Sequence, residues 1–164
     1  MTEAGDKLTL ETTKGNVEIK LRPDLAPKHV ARIKQLVSEG FYDGIVFHRV
    51  IEGFMAQTGC PQGTGTGGSK YPNLEQEFNA APHKRGTCSM ARASHPDTAN
   101  SQFFICFEDA SFLDRKYTVW GEVVSGMENV DKIIKASLSC ARDEWGARTF
   151  SHLWEKAVFR SGVG

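Results

Sequence analysis

The chain contains no apolar run approaching the roughly eighteen residues a membrane-spanning helix needs, so no membrane role is expected. It lacks net charge: twenty Lys and Arg face twenty Asp and Glu, and no overall field draws it to nucleic acid or to an acidic lipid surface. Cysteine is sparse. Cys60, Cys88, Cys106 and Cys140 form no C-x-x-C pair and no zinc spacing. His29, His83, His95 and His152 lack the spacing of metal ligands too, so neither a metal nor another cofactor is expected. The opening stretch from Met1 to Lys7 has no apolar segment of the kind a secretion signal carries. These absences predict a cytoplasmic protein with reduced thiols.

What is present fits one domain over residues 1–164, since 164 residues hold a real core but not two comfortable ones. The centre of the sequence is Phe47-His48-Arg49-Val50-Ile51-Glu52-Gly53-Phe54-Met55-Ala56-Gln57-Thr58-Gly59. Ile45 to Ile51 and Phe54 to Thr58 are rich in apolar residues and read as two strands joined across Glu52-Gly53. In that hairpin Arg49 and Gln57 face each other, beside the apolar Phe54 and Met55. This is the inventory of a small pocket with an apolar floor and a polar rim. An ordinary hairpin with Arg49 snorkelling to water has the same pattern, and the segment alone leaves both readings open.

Around it, alternation predicts a hairpin from Lys7–Glu11 and Asn16–Leu21, with Gly15 free to take positive φ. Pro27, then Val30, Ile33 and Val37, then Gly40 predict an amphipathic helix over Pro27–Glu39. The glycine-dense stretch from Gly59 to Gly68 lacks the P-loop spacing and reads as a folded surface loop. Gly86–Ala91, Ser101–Phe107 and Tyr117–Val124 read as strands, and Met127, Val130, Ile133 and Ile134 mark a shorter second helix. In Ser101–Phe107, Phe103, Ile105 and Phe107 share an apolar face. Gln102, Phe104 and Cys106 share a mixed one, which suits a site. About seven strands and two helices suggest an antiparallel barrel or sandwich whose ends the helices cover.

The motif from Phe47 to Gly59, with Ser89-Met90-Ala91-Arg92-Ala93, Asn100-Ser101-Gln102-Phe103-Phe104-Ile105 and Phe112-Leu113-Asp114, resembles the cyclophilin family of peptidyl-prolyl cis-trans isomerases over about residues 7–135. The resemblance implies a mainly β fold: a closed, antiparallel eight-stranded barrel capped by two α-helices. It implies Arg49 as the catalytic arginine, with Gln57 and Phe104 beside it. Phe54, Met55, Phe104 and Leu113 match the proline pocket, and Gln57, Gln102 and the backbone of Ala91, Arg92 and Ala93 match the groups that hold the peptide. His48, Gly65, Phe112 and Tyr117 complete the expected binding surface. Arg92, Phe112 and Tyr117 stand where eukaryotic cytosolic members carry asparagine, tryptophan and histidine, a combination that resembles bacterial members. It implies weak cyclosporin binding.

The implied partners are proline-containing peptides and unfolded or folding chains, served by a monomer. The reaction breaks no bond: rotation about X-Pro faces a barrier of ~18–20 kcal/mol set by amide resonance. His48 sits in sequence within reach of a hydrolase reading with Ser101 or Asp114, but no nucleophile motif accompanies it, and a buried structural histidine is preferred. The rival reading is a module that binds proline-containing segments through the same pocket, with isomerisation incidental. The resemblance ends near Lys135, leaving 136–164 as an atypical tail. There Phe150, Leu153, Trp154, Ala157 and Val158 recur at helical spacing, which predicts helix within Thr149–Phe159, with Lys156–Arg160 the best candidate if a strand forms instead.

Overall fold

Alternating apolar and polar residues make Lys7–Thr12 (β1) and Gly15–Leu21 (β2) an antiparallel pair whose Leu8, Leu10, Val17, Ile19 and Leu21 are buried. The computed structural model describes residues 7–12, 14–42, 45–133 and 156–161. Pro27–Ser38 (α1) starts on its proline and buries Val30, Ile33, Leu36 and Val37. Its N-cap, Ala26, supplies no side-chain oxygen. Glu77 does so from a distant loop, accepting the N–H groups of Lys28 at 3.2 Å and His29 at 2.9 Å. Gly40, at φ +73°, ends the helix.

The remaining strands are Ile45–Val46 (β3), Arg49–Ile51 (β4), Met55–Thr58 (β5), Thr87–Met90 (β6), Phe103–Cys106 (β7), Thr118–Ser125 (β8) and Lys156–Ser161 (β9). Residues 127–133 form the second helix, α2. All pairings are antiparallel, in one sheet of order β3-β9-β1-β2-β8-β6-β7-β5-β4. The mainly β architecture with two helices is as expected, but among the described residues the ladders count nine strands rather than eight. The extra one arises because Ile45 to Ile51 is not continuous: Ile45–Val46 pairs with β9, Arg49–Ile51 pairs with β5, and Phe47 and His48 cross between them.

The main core packs the inner faces of β1, β2, β6, β7 and β8 against α1, around the fully buried Trp120, Tyr42, Phe47, Phe103 and Phe107. A second cluster lies on the other face of β5 and β7: Met55, Phe104, Cys106, Ala110 and Leu113. The two faces of β7 therefore serve different purposes, as its alternation predicts. The irregular stretch around residues 69–79 is pinned by side chains instead of ladders. Asn100 Oδ1 accepts from Ser69 N and Oγ, while its Nδ2 donates to Tyr71 O and Asn73 Oδ1.

The expected helix within Thr149–Phe159 is corrected over its described part. Residues 156–161 are a strand, paired with β1 from Leu8↔Ser161 to Thr12↔Ala157 and with β3 at Ile45↔Ala157 and Val46↔Lys156. A lone helix of about ten residues is marginal in water. A strand flanked on both sides satisfies its backbone groups cooperatively, and this outweighs the local spacing. The first strand's edge is thereby covered. The rest of the tail reading, over 136–155 and 162–164, lies outside the described residues.

Candidate active site

The hairpin β4–β5 builds one wall of a surface groove. Its register sets Arg49 opposite Gln57, Val50 opposite Ala56 and Ile51 opposite Met55, with Gly53 turning the chain at φ +75°. Because β4 is the sheet's outer strand, Arg49 is exposed, while Met55, one strand further in, is buried. β7 adds Phe104, directly opposite Gln57. The short 3₁₀ turn Ser111–Leu113 brings Leu113 onto the same cluster and leaves Phe112 outside, 61 % exposed, with its ring 5.5 Å from Phe54.

These residues enclose a cavity of about 310 Å³ lined by Arg49, Phe54, Met55, Gln57, Gly65, Ala91, Arg92, Phe104, Leu113 and Tyr117. Its floor is apolar, and Tyr117 meets Phe104 edge-on at 5.7 Å. A neighbouring cavity of about 340 Å³ shares Gln57, Gly65, Ala91 and Arg92 with the first and adds Ala93 and Gln102. Two glutamines join the cavities: Gln57 Nε2 donates to Gln102 Oε1 at 2.9 Å, and Gln102 Nε2 donates to Gly65 O at 2.9 Å and Gly67 O at 2.8 Å. Arg92 does not extend freely into either space. It donates to Lys116 O, Ala93 O and Ser94 O, and its guanidinium lies 4.7 Å from the Tyr117 ring centre and 5.7 Å from that of Phe78.

His48 lies behind the groove and lines neither cavity. It is buried near Gly65, where an added Cβ would sit 3.5 Å from the imidazole. Burial pushes its pKa down, and the neighbouring Arg49 charge adds to this. The hydrolase partners are otherwise engaged: Ser101 Oγ donates to Gly59 O, and Asp114 is bonded to His83. Among the described residues no group of three or more His, Cys, Asp or Glu side chains is arranged to hold a metal.

The glycine-dense loop does more than cover the surface. Cys60 Sγ accepts the N–H groups of Gly65 at 3.2 Å and Gly67 at 3.3 Å. Burial works to raise this thiol, but the backbone N–H groups of Gly67, Gly65 and Thr64 outweigh it and bring the pKa to about 7. Cys88 and Cys106, by contrast, are pushed up by burial, Cys106 to about 12. All three are free thiols.

Sequence reasoning missed the far wall of the second cavity, from Thr66 to Ser69 with Asn73, Thr98 and Asn100. It also missed His83, which sits under Phe104 with its ring 6.2 Å away and nearly parallel, at 19°. The only signal for the former was the glycine density; for the latter there was none, because its partners are scattered along the chain.

An apolar pocket with Arg49, Arg92 and a pair of glutamines around it thus lies in a groove on the outer face of an antiparallel sheet. The chain matches the model of the cyclophilin type peptidyl-prolyl cis-trans isomerase family over residues 7–149 and belongs to that family. It is similar to a probable peptidyl-prolyl cis-trans isomerase of Brucella suis, 57 % identical over 139 residues, covering 78 % of this chain and 71 % of the relative. Among solved structures it is similar to cyclophilin AquaCyp293 from Hirschia baltica, with TM-score 0.71 and 30 % identity, covering 77 % of this chain and 66 % of that one. A Cryptosporidium parvum cyclophilin solved in the presence of the dipeptide Ala-Pro gives TM-score 0.74 and 31 % identity, covering 77 % of this chain and 83 % of that one.

Proposed function

We propose that the groove accelerates rotation about X-Pro peptide bonds by arginine-assisted stabilisation of the twisted amide, with no covalent intermediate. The observation that carries this is the placement of Arg49 on an exposed outer strand, opposite Gln57, at the mouth of a pocket floored by Met55, Phe104 and Leu113. At the twisted midpoint the proline nitrogen regains its lone pair. A donor beside it then binds the transition state better than either planar ground state. A guanidinium is planar, charged and many-donored, which suits the task.

Bringing tens of seconds down to milliseconds needs a factor of about 10⁴, or roughly 5.5 kcal/mol. One charge-assisted hydrogen bond supplies about 1.5–3 kcal/mol. The remainder falls to preorganisation. Phe54, Met55, Phe104 and Leu113 keep the proline dry, while Gln57, Gln102 and the backbone of Ala91 to Ala93 hold one side of the bond still as the other turns.

The substrates in this reading are proline-containing segments of peptides and folding proteins, met in the cytoplasm, where the free thiols of Cys60, Cys88 and Cys106 are at home. Residues 1–164 then act as one domain and one monomer. In this reading the curled sheet approaches a barrel, an idea supported by the short Phe47-His48 link between β3 and β4, the two ends of the strand order.

The test is an NMR exchange or protease-coupled assay on an Ala-Pro peptide. Arg49→Ala is expected to lose most of the rate with an unchanged melting temperature, since the side chain is exposed, and Arg49→Lys is expected to be poor as well. A variant Arg49→Ala that keeps more than half the activity refutes the mechanism. Full peptide binding without any acceleration by the wild type favours a binding module.

A further inference from the structure

We infer that His83 is a positioning residue for prolyl isomerisation, holding Phe104 and Leu113 at the separation the proline pocket requires; this rests on the reading above. The side chain is buried, and each of its polar atoms is bonded to a different element. Nδ1 lies 3.0 Å from Asp114 Oδ1, and Nε2 lies 3.0 Å from Ser89 Oγ. Its backbone N–H donates to the same Asp114 oxygen at 2.8 Å, and its carbonyl accepts from Ala110 N at 2.8 Å. The ring face stacks on Phe104.

Every one of these attachments adjoins the groove. Asp114 follows Leu113 directly and ends the 3₁₀ turn. Ser89 stands on β6 two residues before Ala91, and its hydroxyl lies 3.0 Å from Thr118 O, the residue after Tyr117. One imidazole thus ties together the four segments that supply Leu113, Ala91, Tyr117 and Phe104 to the cavity wall. The backbone N–H of His83, chiefly, holds Asp114 below the usual carboxylate range, which keeps it an acceptor.

The order Asp114, His83, Ser89 has the look of a nucleophilic relay, but Ser89 is fully buried and lines neither cavity. No substrate carbonyl reaches it. The array acts through Phe104 and Leu113, which do face the groove.

The experiment uses the full chain and an Ala-Pro peptide. Wild-type kcat/KM comes first: a wild type without acceleration overturns the isomerase reading and this inference with it. With an active wild type, Asp114→Asn and His83→Gln are each expected to lower kcat/KM about tenfold. The loss should shrink to about twofold or less in a Phe104→Leu background, because residues acting through one ring are non-additive. An unchanged kcat/KM in Asp114→Asn, or the same loss in both backgrounds, overturns the positioning role while leaving the isomerase reading intact. If His83→Gln does not fold, Asp114→Asn alone decides.

Discussion

Removing the half-buried Gln102 amide is expected to weaken the groove far more than the loss of one side chain at its rim suggests. In Gln102→Ala three hydrogen bonds go together: those to Gly65 O at 2.9 Å and Gly67 O at 2.8 Å, and the one received from Gln57 Nε2 at 2.9 Å. Each is worth about 0.5–1.5 kcal/mol net. Gly65 is exposed and Gly67 half-buried, so water takes over both carbonyls and the sum falls at the low end. A total of about 1–2 kcal/mol corresponds to a fall in Tm of about 2–8 °C for a chain of this size. The catalytic effect is larger in proportion, because Gln57 loses its anchor and Gly65 is released from the wall both cavities share. A loss of about 1.4 kcal/mol in transition-state positioning lowers kcat/KM about tenfold. Gln102→Glu separates the contributions: the carboxylate still accepts from Gln57 but cannot donate to either glycine. It should match or exceed the alanine variant in loss of rate, measured by NMR exchange. A Gln102→Ala enzyme within about twofold of wild type in kcat/KM, where a lost anchor should cost about tenfold, or a Gln102→Glu enzyme that behaves as wild type, refutes the reasoning.

Two further outcomes follow from the described side chains. His29, His48 and His83 are all buried with pKa values pushed below the ordinary histidine range, burial being the first cause in each. The unfolded chain therefore takes up protons that the folded chain refuses. Stability should be full above about pH 6.5 and fall as pH drops below it, by up to about 1.4 kcal/mol per pH unit for each histidine, as read from urea midpoints. A flat profile between pH 7 and pH 5 contradicts those shifts. Phe112, exposed beside Phe54, has no N–H to donate, so Phe112→Trp is expected to tighten cyclosporin binding in a fluorescence titration. Equal affinity in the two proteins removes Phe112 as a determinant of cyclosporin affinity.

Legibility in the sequence followed the range of the interactions. The facing of Arg49 and Gln57 could be read because a hairpin carries its own register in alternation and a turn glycine. The split faces of β7 were legible for the same reason, Phe103, Ile105 and Phe107 to the core and Phe104 and Cys106 to the groove. The three-way bond of His83 was not: its partners lie at Ser89, Asp114 and Ala110, and nothing local marks them. The break at Phe47-His48 was invisible because β3 takes a partner from the far end of the described chain. For Lys156–Ser161, local spacing pointed to a helix while the ladder energy came from β1 and β3, which no window of sequence contains.

That last strand has a consequence for the order of folding. During vectorial synthesis β1 and β3 leave the ribosome long before β9, and the slot between them stays empty while the groove-bearing strands β4 to β8 are already available to pair. Contacts of such long sequence separation form late, since the loop-closure entropy is lost before the ladder compensates for it. The nascent chain therefore passes through a stage in which β4 to β8 can pair while β1 and β3 each present a bare edge, a time when encounter with another nascent copy is most hazardous. Emergence of β9 is then the event that covers both edges, and until it emerges pairing with another chain competes with pairing within this one.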